Sequence, residues 1–501
     1  MNDDIIVSMN KKKAVEEKRG GLVWLIVKWV ALVAQVAISV MLVLSMISMG
    51  VLKTWIIVAI AAGLLILFVI NLTFLVLRKK TGLVMNIVCL IIVILVIVAG
   101  VVAMRYTGAF NSFLGRITDD RKELKEYSVL VLENSEIKEV QELRARSAGF
   151  LSTDTTAEQA EEVLKQQVDV NTSVYGDVDI MSEMMSGGLL DAMVLESSRM
   201  EAMKEDAVSL FNDKRVIYTF TIELVGTDDE SAIKKEVAKE PFLIYISGSD
   251  SRSGIKATAR SDVNILAAVN PQTGKILLVS IPRDTYVQLH GTTGLKDKLT
   301  HAGLYGIEMS KTTIEDLLGV NIDYTIKVGF DAVVRVVDEL NGIEIDSDVA
   351  MTLSALNGKQ CTYIKGRQWV DGDCALRFAR ERKTYGTGDI HRGENQQQVI
   401  SAIITKMSSS KDYFLKLPEL LDAAADLFET SLSKEEITEF IRMQLANQTK
   451  WQTESMMVNG VADMQPTYSM GANLPLYVMY PNEDSIKEAQ TKINDYLNTS
   501  R

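Results

Sequence analysis

Three long apolar runs open the chain, at residues 22–49, 55–77 and 83–104. Each exceeds the roughly 20 residues that a helix needs to cross a bilayer. They predict three transmembrane helices, because the first run is too long for a cleavable leader and two more follow it closely. Lys28, Gln35, Asn71 and Asn86 interrupt the runs. A lysine there snorkels and amides pack between helices, so these four are assigned no chemistry. From residue 127 the pattern changes to short strands alternating with helices. Residues 127–132, 191–195 and 216–224 read as strands, and Thr155-Thr156-Ala157-Glu158 has the form of a capping box opening a helix through Gln167. Such alternation predicts an α/β layer domain. Residues 226–240 are charged and read as a connector.

A second α/β segment follows. Residues 242–248 form an apolar strand, and 263–270, Pro271-Gln272-Thr273-Gly274 and 275–280 fit strand, turn, strand. Residues 312–318 read as a short helix, 323–328 as a strand, 330–340 as a helix stopped by Asn341-Gly342, and 343–345 as the start of another strand. Past residue 410 the spacing is helical at 415–428, at 437–445 behind the capping box Ser433-Lys434-Glu435-Glu436, and at 486–497, while 456–461 and 476–480 could add edge strands. The expected organisation is a polar N-terminus (1–21), three transmembrane helices (22–104), an α/β accessory domain (105–226), a linker (227–240) and an α/β/α domain with a mixed central sheet (241–501).

Charge then sets orientation and excludes one class of partner. Lys11, Lys12, Lys13, Lys18 and Arg19 precede the first run and Arg78-Lys79-Lys80 follows the second, whereas the loop between them offers only Lys53. Positive charge stays inside, which places the N-terminus in the cytoplasm and residues 105–501 outside. A net charge of −12 argues against nucleic acid, whose binding depends on basic surface. Cys361 and Cys374 fall on the outer side, where a disulfide and two partly buried thiols are both open; Cys89 lies in an apolar run. Met181, Met184, Met185, Met193 and Met200 read as core filler before they read as a pliable binding surface.

Candidate chemistry sits at strand ends. Ser249-Asp250-Ser251-Arg252 and Ala259-Arg260-Ser261-Asp262 flank one strand junction, and Ile281-Pro282-Arg283-Asp284 ends the hairpin that returns to it. Two carboxylates across a loop suit an oxygen-ligand cation, and guanidinium forks match phosphate. Solvated loop charges would read the same in this stretch alone. Further along, Arg380-x-Arg382 precedes Asp389-Ile390-His391-Arg392-Gly393-Glu394-Asn395-Gln396. Arg392 and Gln396, four apart, share a face in the first turns of a helix, where free N–H groups favour an anion. Arg380 and Arg382 share a face if their segment is extended. His301 and His391 invite a general-base role, but we take them as a structural and a loop residue.

In this order the motifs resemble the catalytic domain of the LytR-CpsA-Psr family across residues 241–408, with Lys298-x-x-x-Ala302 between the two halves. Members attach lipid-linked glycopolymers to the bacterial cell wall. The resemblance implies that Asp250 and Asp262 hold Mg²⁺ (or Mn²⁺), and that Arg260, Arg283, Arg380, Arg382, Arg392 and Gln396 hold a polyprenyl pyrophosphate. Asp284, Lys298 and Asp389 would support them. Many members carry an arginine where this chain has Asn395. Residues 105–226 resemble one lobe of a solute-binding protein, an extra domain of some capsule-type members, and are read as a spacer or docking unit. The implied reaction moves a glycan-1-phosphate from polyprenyl pyrophosphate to a peptidoglycan hydroxyl at the outer face of the cell membrane, with Arg283, Asp262 and Asp250 in the catalytic roles, and with membrane lipid and cell-wall assembly proteins as further partners. Hydrolysis of the same carrier by water, or non-catalytic sensing of lipid or glycan, are the alternatives: an acceptor assay separates the first, indifference to chelation the second.

Overall fold

The computed structural model describes residues 2–78, 82–118, 123–206, 210–224, 235–249, 254–384, 389–410, 413 and 425–499. They form two compact units, residues 1–113 and 114–501. In the first, α1 (Asn2–Met49), α2 (Thr54–Leu72, continued by a π turn at Thr73–Leu77) and α3 (Leu83–Thr118) follow the three apolar runs. Each holds a segment long and apolar enough to cross a membrane. The helix is not confined to the apolar runs: α1 begins well before residue 22 and α3 continues fourteen residues past residue 104. Two of the amides pack between helices as expected, Asn71 Nδ2 donating to Gln35 Oε1 at 3.0 Å with both side chains buried, whereas Asn86 Nδ2 reaches Gly82 O, four residues back in the chain, at 3.5 Å.

The second unit begins with a five-stranded sheet made of β1 (Glu123–Leu132), β2 (Ser147–Leu151), β3 (Asn171–Tyr175), β4 (Ala192–Glu196) and β5 (Lys214–Leu224), in the order β3-β2-β4-β1-β5. Helices α4 (Ala157–Gln167), α5 (Val178–Ser186) and α6 (Ser197–Asp206) connect them. Met181, Met185, Met193 and Met200 are buried in the core formed by α5, α6 and the sheet. Helix α4 starts one residue later than the expected capping box requires: Thr156 is the N-cap, which leaves Glu158 at the second helical position, and the Thr156 hydroxyl bonds Asp154 and Tyr127 rather than the helix N–H groups.

The larger sheet contains β6 (Phe242–Ser249), β7 (Val263–Asn270) and β8 (Lys275–Ser280), with β9 (Tyr286–Val287) and β10 (Asp297–Lys298) paired outside it. After α7 (Leu299–Ala302) and α8 (Ile307–Leu318) come β11 (Tyr324–Gly329), α9 (Phe330–Glu339), β12 (Ile343–Ser347), β13 (Met351–Ser354), β14 (Gln360–Tyr363), β15 (Gly366–Val370), α10 (Gly372–Ala379) and α11 (Asp389–Ser409). The chain closes with β16 (Phe428–Thr430), α12 (Lys434–Asn447), β17 (Gln452–Met457), β18 (Gly460–Thr467), β19 (Gly471–Pro481) and α13 (Glu483–Asn498). Sheet order is β16-β11-β6-β7-β8-β17, parallel at β11–β6 and β8–β17 and antiparallel elsewhere. The two faces carry separate cores: Ile314, Leu318, Ala489 and Ile493 of α8 and α13 cover one, while Met443 of α12, Trp451 and, less deeply, Ile400 and Ile404 of α11 cover the other. That is the three-layered α/β/α arrangement with a mixed sheet.

Boundaries moved where capping and tertiary contacts overrode periodicity. Helix α8 begins at Ile307 rather than 312, the 456–461 piece divides between β17 and β18, and β18–β19 form a hairpin of their own. Most of the expected helix at 415–428 lies outside the described residues, and Phe428 begins strand β16. The Ser433–Glu436 capping box forms in full. Cys361 of β14 and Cys374 of α10 are joined in a disulfide, Cα–Cα 5.4 Å. Because α10 leads into Arg380, this bridge tethers the site's second half. Replacing both cysteines by serine should lower stability by about 3 kcal/mol, the loop-closure value for a crosslink of this span; thermal unfolding with and without reductant measures it, with the serine variant insensitive to reductant.

Candidate functional site

The site is assembled at the ends of β6, β7 and β8. Asp262 lies just before β7, and its N–H donates to Gly248 O of β6 at 2.8 Å. Ser261, beside it, is fully tied down: its N–H donates to Thr300 O (3.0 Å), and its hydroxyl lies 3.0 Å from Tyr245 Oη, 2.8 Å from Ser247 Oγ and 2.9 Å from Asn264 Oδ1. Gly303 packs against the same segment so closely that a Cβ there would come within 2.4 Å of Ala259 O. The backbone carrying Arg260 and Asp262 therefore has little freedom to shift.

Arg283 enters from the turn after β8. Its carbonyl accepts from Thr300 N–H at 2.9 Å, fixing the turn to the same α7 segment. Its Nη1 donates to Asp262 Oδ1 at 2.7 Å, and Thr300 Oγ1 lies 3.5 Å from that oxygen. Arg283 Nε stands 3.7 Å from Asp284 Oδ2, and Lys298 Nζ stands 2.6 Å from Asp284 Oδ1. Asp284 and Lys298 are both buried, so this is a chain of alternating charge, Lys298–Asp284–Arg283–Asp262, largely withdrawn from solvent. Burial alone would push the Asp262 carboxyl up, but the Arg283 and Arg260 guanidiniums, the Arg283 hydrogen bond and Arg392 hold it below the ordinary carboxylate value. Asp262 is thus an ionised carboxylate among three arginines.

The second half arrives from α10 and α11. Arg380 is not in an extended segment; it ends α10, with its guanidinium 4.7 Å from the Phe330 ring centroid, and Arg382 follows in an exposed turn. Arg392 and Gln396 are buried on the first turns of α11. His391 stands in α11 rather than in a loop, 3.0 Å from Glu394, and His301 is buried against Asp297 at 2.6 Å. Both are explained by structural contacts with carboxylates. Asn395 also holds structure together, since its Nδ2 donates to Phe378 O at 3.1 Å and ties α11 to α10.

Beneath these groups is an apolar cavity of about 340 Å³, bounded by β6, β7, β11, α9, α10 and α11. Ile246, Val328, Val336, Ile403 and Met407 line it, while Arg380 and Gln396 are its polar members. Sequence reasoning missed the cavity, since its lining comes from strands and helices far apart in the chain, from Ile246 of β6 to Phe428 of β16. The residues brought together are Arg260, Asp262, Arg283 and Arg392 around one carboxylate, and Arg380 with Gln396 at the cavity wall. Asp250 lies outside the described residues, and Asp389 is described through its backbone alone.

A divalent cation can be tested against the one carboxylate described. Asp262 is ionised, and both of its named bonds fall on Oδ1. Such a group suits one oxygen ligand of Mg²⁺, which takes few protein carboxylates and completes its shell with phosphate and water. Among the described residues no group of three or more His, Cys, Asp or Glu forms a self-sufficient metal cage.

These features have relatives. The LytR-CpsA-Psr family model matches residues 199–494, starting in α6 and so reaching further back than the motif-bearing stretch. The polyisoprenyl-teichoic acid–peptidoglycan teichoic acid transferase TagU of Halalkalibacterium halodurans is 36% identical over 197 residues, 39% of this chain and 62% of its own length. TagU of Bacillus subtilis (strain 168) is 38% identical over 180 residues, 36% of this chain and 55% of its own. The chain thus spans less than two thirds of the length of these relatives. Among solved structures, that of B. subtilis TagV is similar at 27% identity and a TM-score of 0.44, covering 52% of this chain and 99% of that one. A family model matched over more than half of its length makes this protein a member of the LytR-CpsA-Psr family.

Proposed function

We propose that the protein transfers a glycan-1-phosphate from a polyprenyl-pyrophosphate carrier to a hydroxyl of peptidoglycan at the outer face of a bacterial membrane. The observation that carries this reading is the apolar cavity with Arg380 and Gln396 in its wall. A cavity of this size falls in the range of small-molecule sites, and its chemistry suits an amphiphile with a hydrocarbon tail and an anionic head. The names of the TagU relatives, teichoic acid transferases acting on peptidoglycan, support the same donor and acceptor classes. Three membrane-length helices and net positive flanks support an outward-facing site on a membrane-anchored chain, as a lipid-linked donor requires.

In the reaction the acceptor oxygen attacks the sugar-side phosphorus, the bond from that phosphorus to the bridging oxygen breaks, and polyprenyl phosphate leaves. Charge on the transferring group has to be neutralised as it develops. Arg283 grips the phosphate under attack, while Arg260, Arg392, Arg380, Arg382 and Gln396 hold the rest of the pyrophosphate. Asp262, with Asp250, would hold Mg²⁺, which supplies further positive charge to the phosphate oxygens. Asp284 is buried between two cations, Lys298 Nζ at 2.6 Å and Arg283 Nε at 3.7 Å. It therefore orients Arg283 rather than receiving the acceptor's proton.

The test is a transfer assay with the full-length protein, a labelled polyprenyl-pyrophosphate oligosaccharide, peptidoglycan fragments and Mg²⁺. Label must appear on peptidoglycan, and only free glycan phosphate in its place would mean hydrolysis. Ile403→Glu sets a carboxylate into the cavity lining, where desolvation opposes both the charge and the tail. It should weaken a long-chain donor about tenfold or more while sparing a donor on a two-isoprene carrier. Equal loss for both donors would remove the cavity from the reading.

A further inference from the structure

The strip of chain that carries Lys298 is fastened along the strip that carries Arg283. β10 pairs antiparallel with β9, Leu299 N–H donates to Thr285 O at 2.9 Å, and Thr300 N–H donates to Arg283 O at 2.9 Å. From this seam Lys298 Nζ reaches Asp284, and Asp284 faces Arg283. The seam is itself anchored by a residue that the reaction leaves unused. Asp297, at the start of β10, is fully buried, and its carboxylate serves three pieces of chain. Oδ1 accepts from Lys298 N–H at 2.8 Å and lies 2.6 Å from His301 Nδ1 of α7; Oδ2 accepts from Ser469 N–H at 2.8 Å and from the Ser469 hydroxyl.

Ser469 lies in the turn between β18 and β19, and that hairpin braces both strips. Tyr468 N–H donates to Lys296 O at 3.0 Å, Met479 N–H of β19 to Asp284 O at 2.8 Å, and Tyr286 Oη to Pro466 O at 2.8 Å. The hairpin in turn is rooted in the accessory domain. Met470 and Leu476 are buried in one core with Met181, Met185 and Met193, and Tyr305 Oη, which accepts from Arg199 of α6 at 2.7 Å, stands 3.1 Å from Ser469 Oγ. Residues 460–481 bear none of the site's motifs, yet they hold both strips that meet at Arg283. The place at 297 requires a carboxylate. A backbone N–H donates to each of its oxygens, so both must accept, whereas an amide there would turn its own NH₂ toward one of those N–H groups.

We propose that Asp297 is a positioning residue for the transfer, which holds Lys298 and Asp284 so that the Arg283 guanidinium is already aimed where charge develops on the phosphate. It touches neither substrate nor the reacting atoms. This role rests on the transferase reading above, through Arg283, and gives the β18–β19 hairpin and the accessory domain a task in it: they frame the seam from behind.

The test compares full-length wild type, Asp297→Asn, Arg283→Ala and the double variant in detergent. First, geranyl pyrophosphate is titrated without acceptor. Asp297→Asn should bind it about tenfold more weakly, the order of one charge-assisted hydrogen bond, and the double variant no more weakly than Arg283→Ala alone, because the support has nothing to act on once the guanidinium is gone. This arm needs no turnover, so it stands or falls apart from the transferase reading. Second, kcat of transfer is measured at saturating donor. Asp297→Asn should lose roughly tenfold to a hundredfold, the cost of a small misplacement, and the double variant again nothing beyond Arg283→Ala. A merely structural role would lower activity by the same factor in both backgrounds. Additive losses in either arm, or wild-type binding and kcat in Asp297→Asn, overturn the proposal, as does a wild type that does not bind the probe. Coupled losses in binding with no transfer by wild type would uphold the support of Arg283 and sink the transferase reading instead. Ser469→Ala removes the hydroxyl bond to Asp297 and keeps the N–H bond, so it should show the same coupling with a smaller loss; where Asp297→Asn does not fold, this variant decides by the same criteria.

Discussion

Arg283→Ala should lower kcat by roughly 10²–10³ at saturating donor while leaving the fold intact, the loss typical of one preorganised transition-state contact. The backbone of residue 283 is held independently of its side chain, by the Thr300 N–H bond to its carbonyl and by the Thr285 N–H bond to Pro282 O. Removing the guanidinium therefore empties a position without moving the turn. Asp262 loses its strongest cationic neighbour, and its pKa must rise. If catalysis needs Asp262 ionised, the acid limb of the rate profile moves to higher pH in the variant. Arg283→Lys restores the charge but not the two-pronged geometry, and should recover only part of the rate. A kcat within a few-fold of wild type, with an unmoved acid limb, would take Arg283 out of the chemistry.

How much of this was legible depended on whether a residue acts locally. The β7–β8 hairpin and the α9 stop at Asn341-Gly342 follow from apolar runs and from positive φ at 341 and 342, properties of a few neighbouring residues. The meeting of Asp262 with Arg283 was foreseen because the hairpin itself brings the two strand ends together. Non-local roles were hidden. Thr155-Thr156-Ala157-Glu158 looks like a cap, yet Thr156 is claimed by Tyr127, which lies 29 residues earlier. Asn395 stood out as a departure from the family pattern, and only the packing of α10 on α11 gives it a partner. The contacts of the accessory domain were hidden as well. Read as a spacer or docking unit, it is keyed into the catalytic domain: Leu124 exchanges main-chain bonds with the 256–258 segment that precedes Arg260, and Glu123 accepts from Ile307 N–H and Lys327 Nζ. Its charged residues, Lys125, Glu196 and Arg199, carry no mark of burial in a sequence, where lysine, glutamate and arginine ordinarily mean surface.

Those charges give the second large effect, because Arg199→Met should destabilise the second unit by about 3–5 kcal/mol, the cost of removing one partner from a buried ionic group. Arg199, Lys125, Asp154 and Glu196 are all buried, two cations against two carboxylates. Lys125 Nζ lies 3.3 Å from Asp154 and 3.5 Å from Glu196; Arg199 donates to Thr153 Oγ1 at 3.0 Å and to Tyr305 Oη at 2.7 Å. Tyr305 belongs to the catalytic domain, as does Thr258, whose hydroxyl donates to Glu196 Oε1 at 2.9 Å. Loss of the Arg199 charge leaves Lys125 alone to balance two buried carboxylates, which methionine's volume does nothing to offset. The pH dependence carries the same signature. Burial would raise the Asp154 pKa, but Lys125, Arg199 and the Tyr127 hydroxyl bring it down to about 2, below the 3.8 of an unperturbed aspartate. A depressed carboxylate stabilises the fold above its unfolded pKa, and that stability drains away as pH falls from about 4 to about 2; here it amounts to roughly 2 kcal/mol. In Arg199→Met the folded pKa rises, so the variant should lose less on acidification through that window while being weaker throughout at neutral pH. Because Thr258 stands two residues before Arg260, transfer activity should also fall at temperatures where the variant is still mostly folded. Denaturant unfolding at pH 7 and pH 3 reads both effects, and an unchanged midpoint at pH 7 would mean that the four charges are individually dispensable and that the domain junction is held by its apolar contacts.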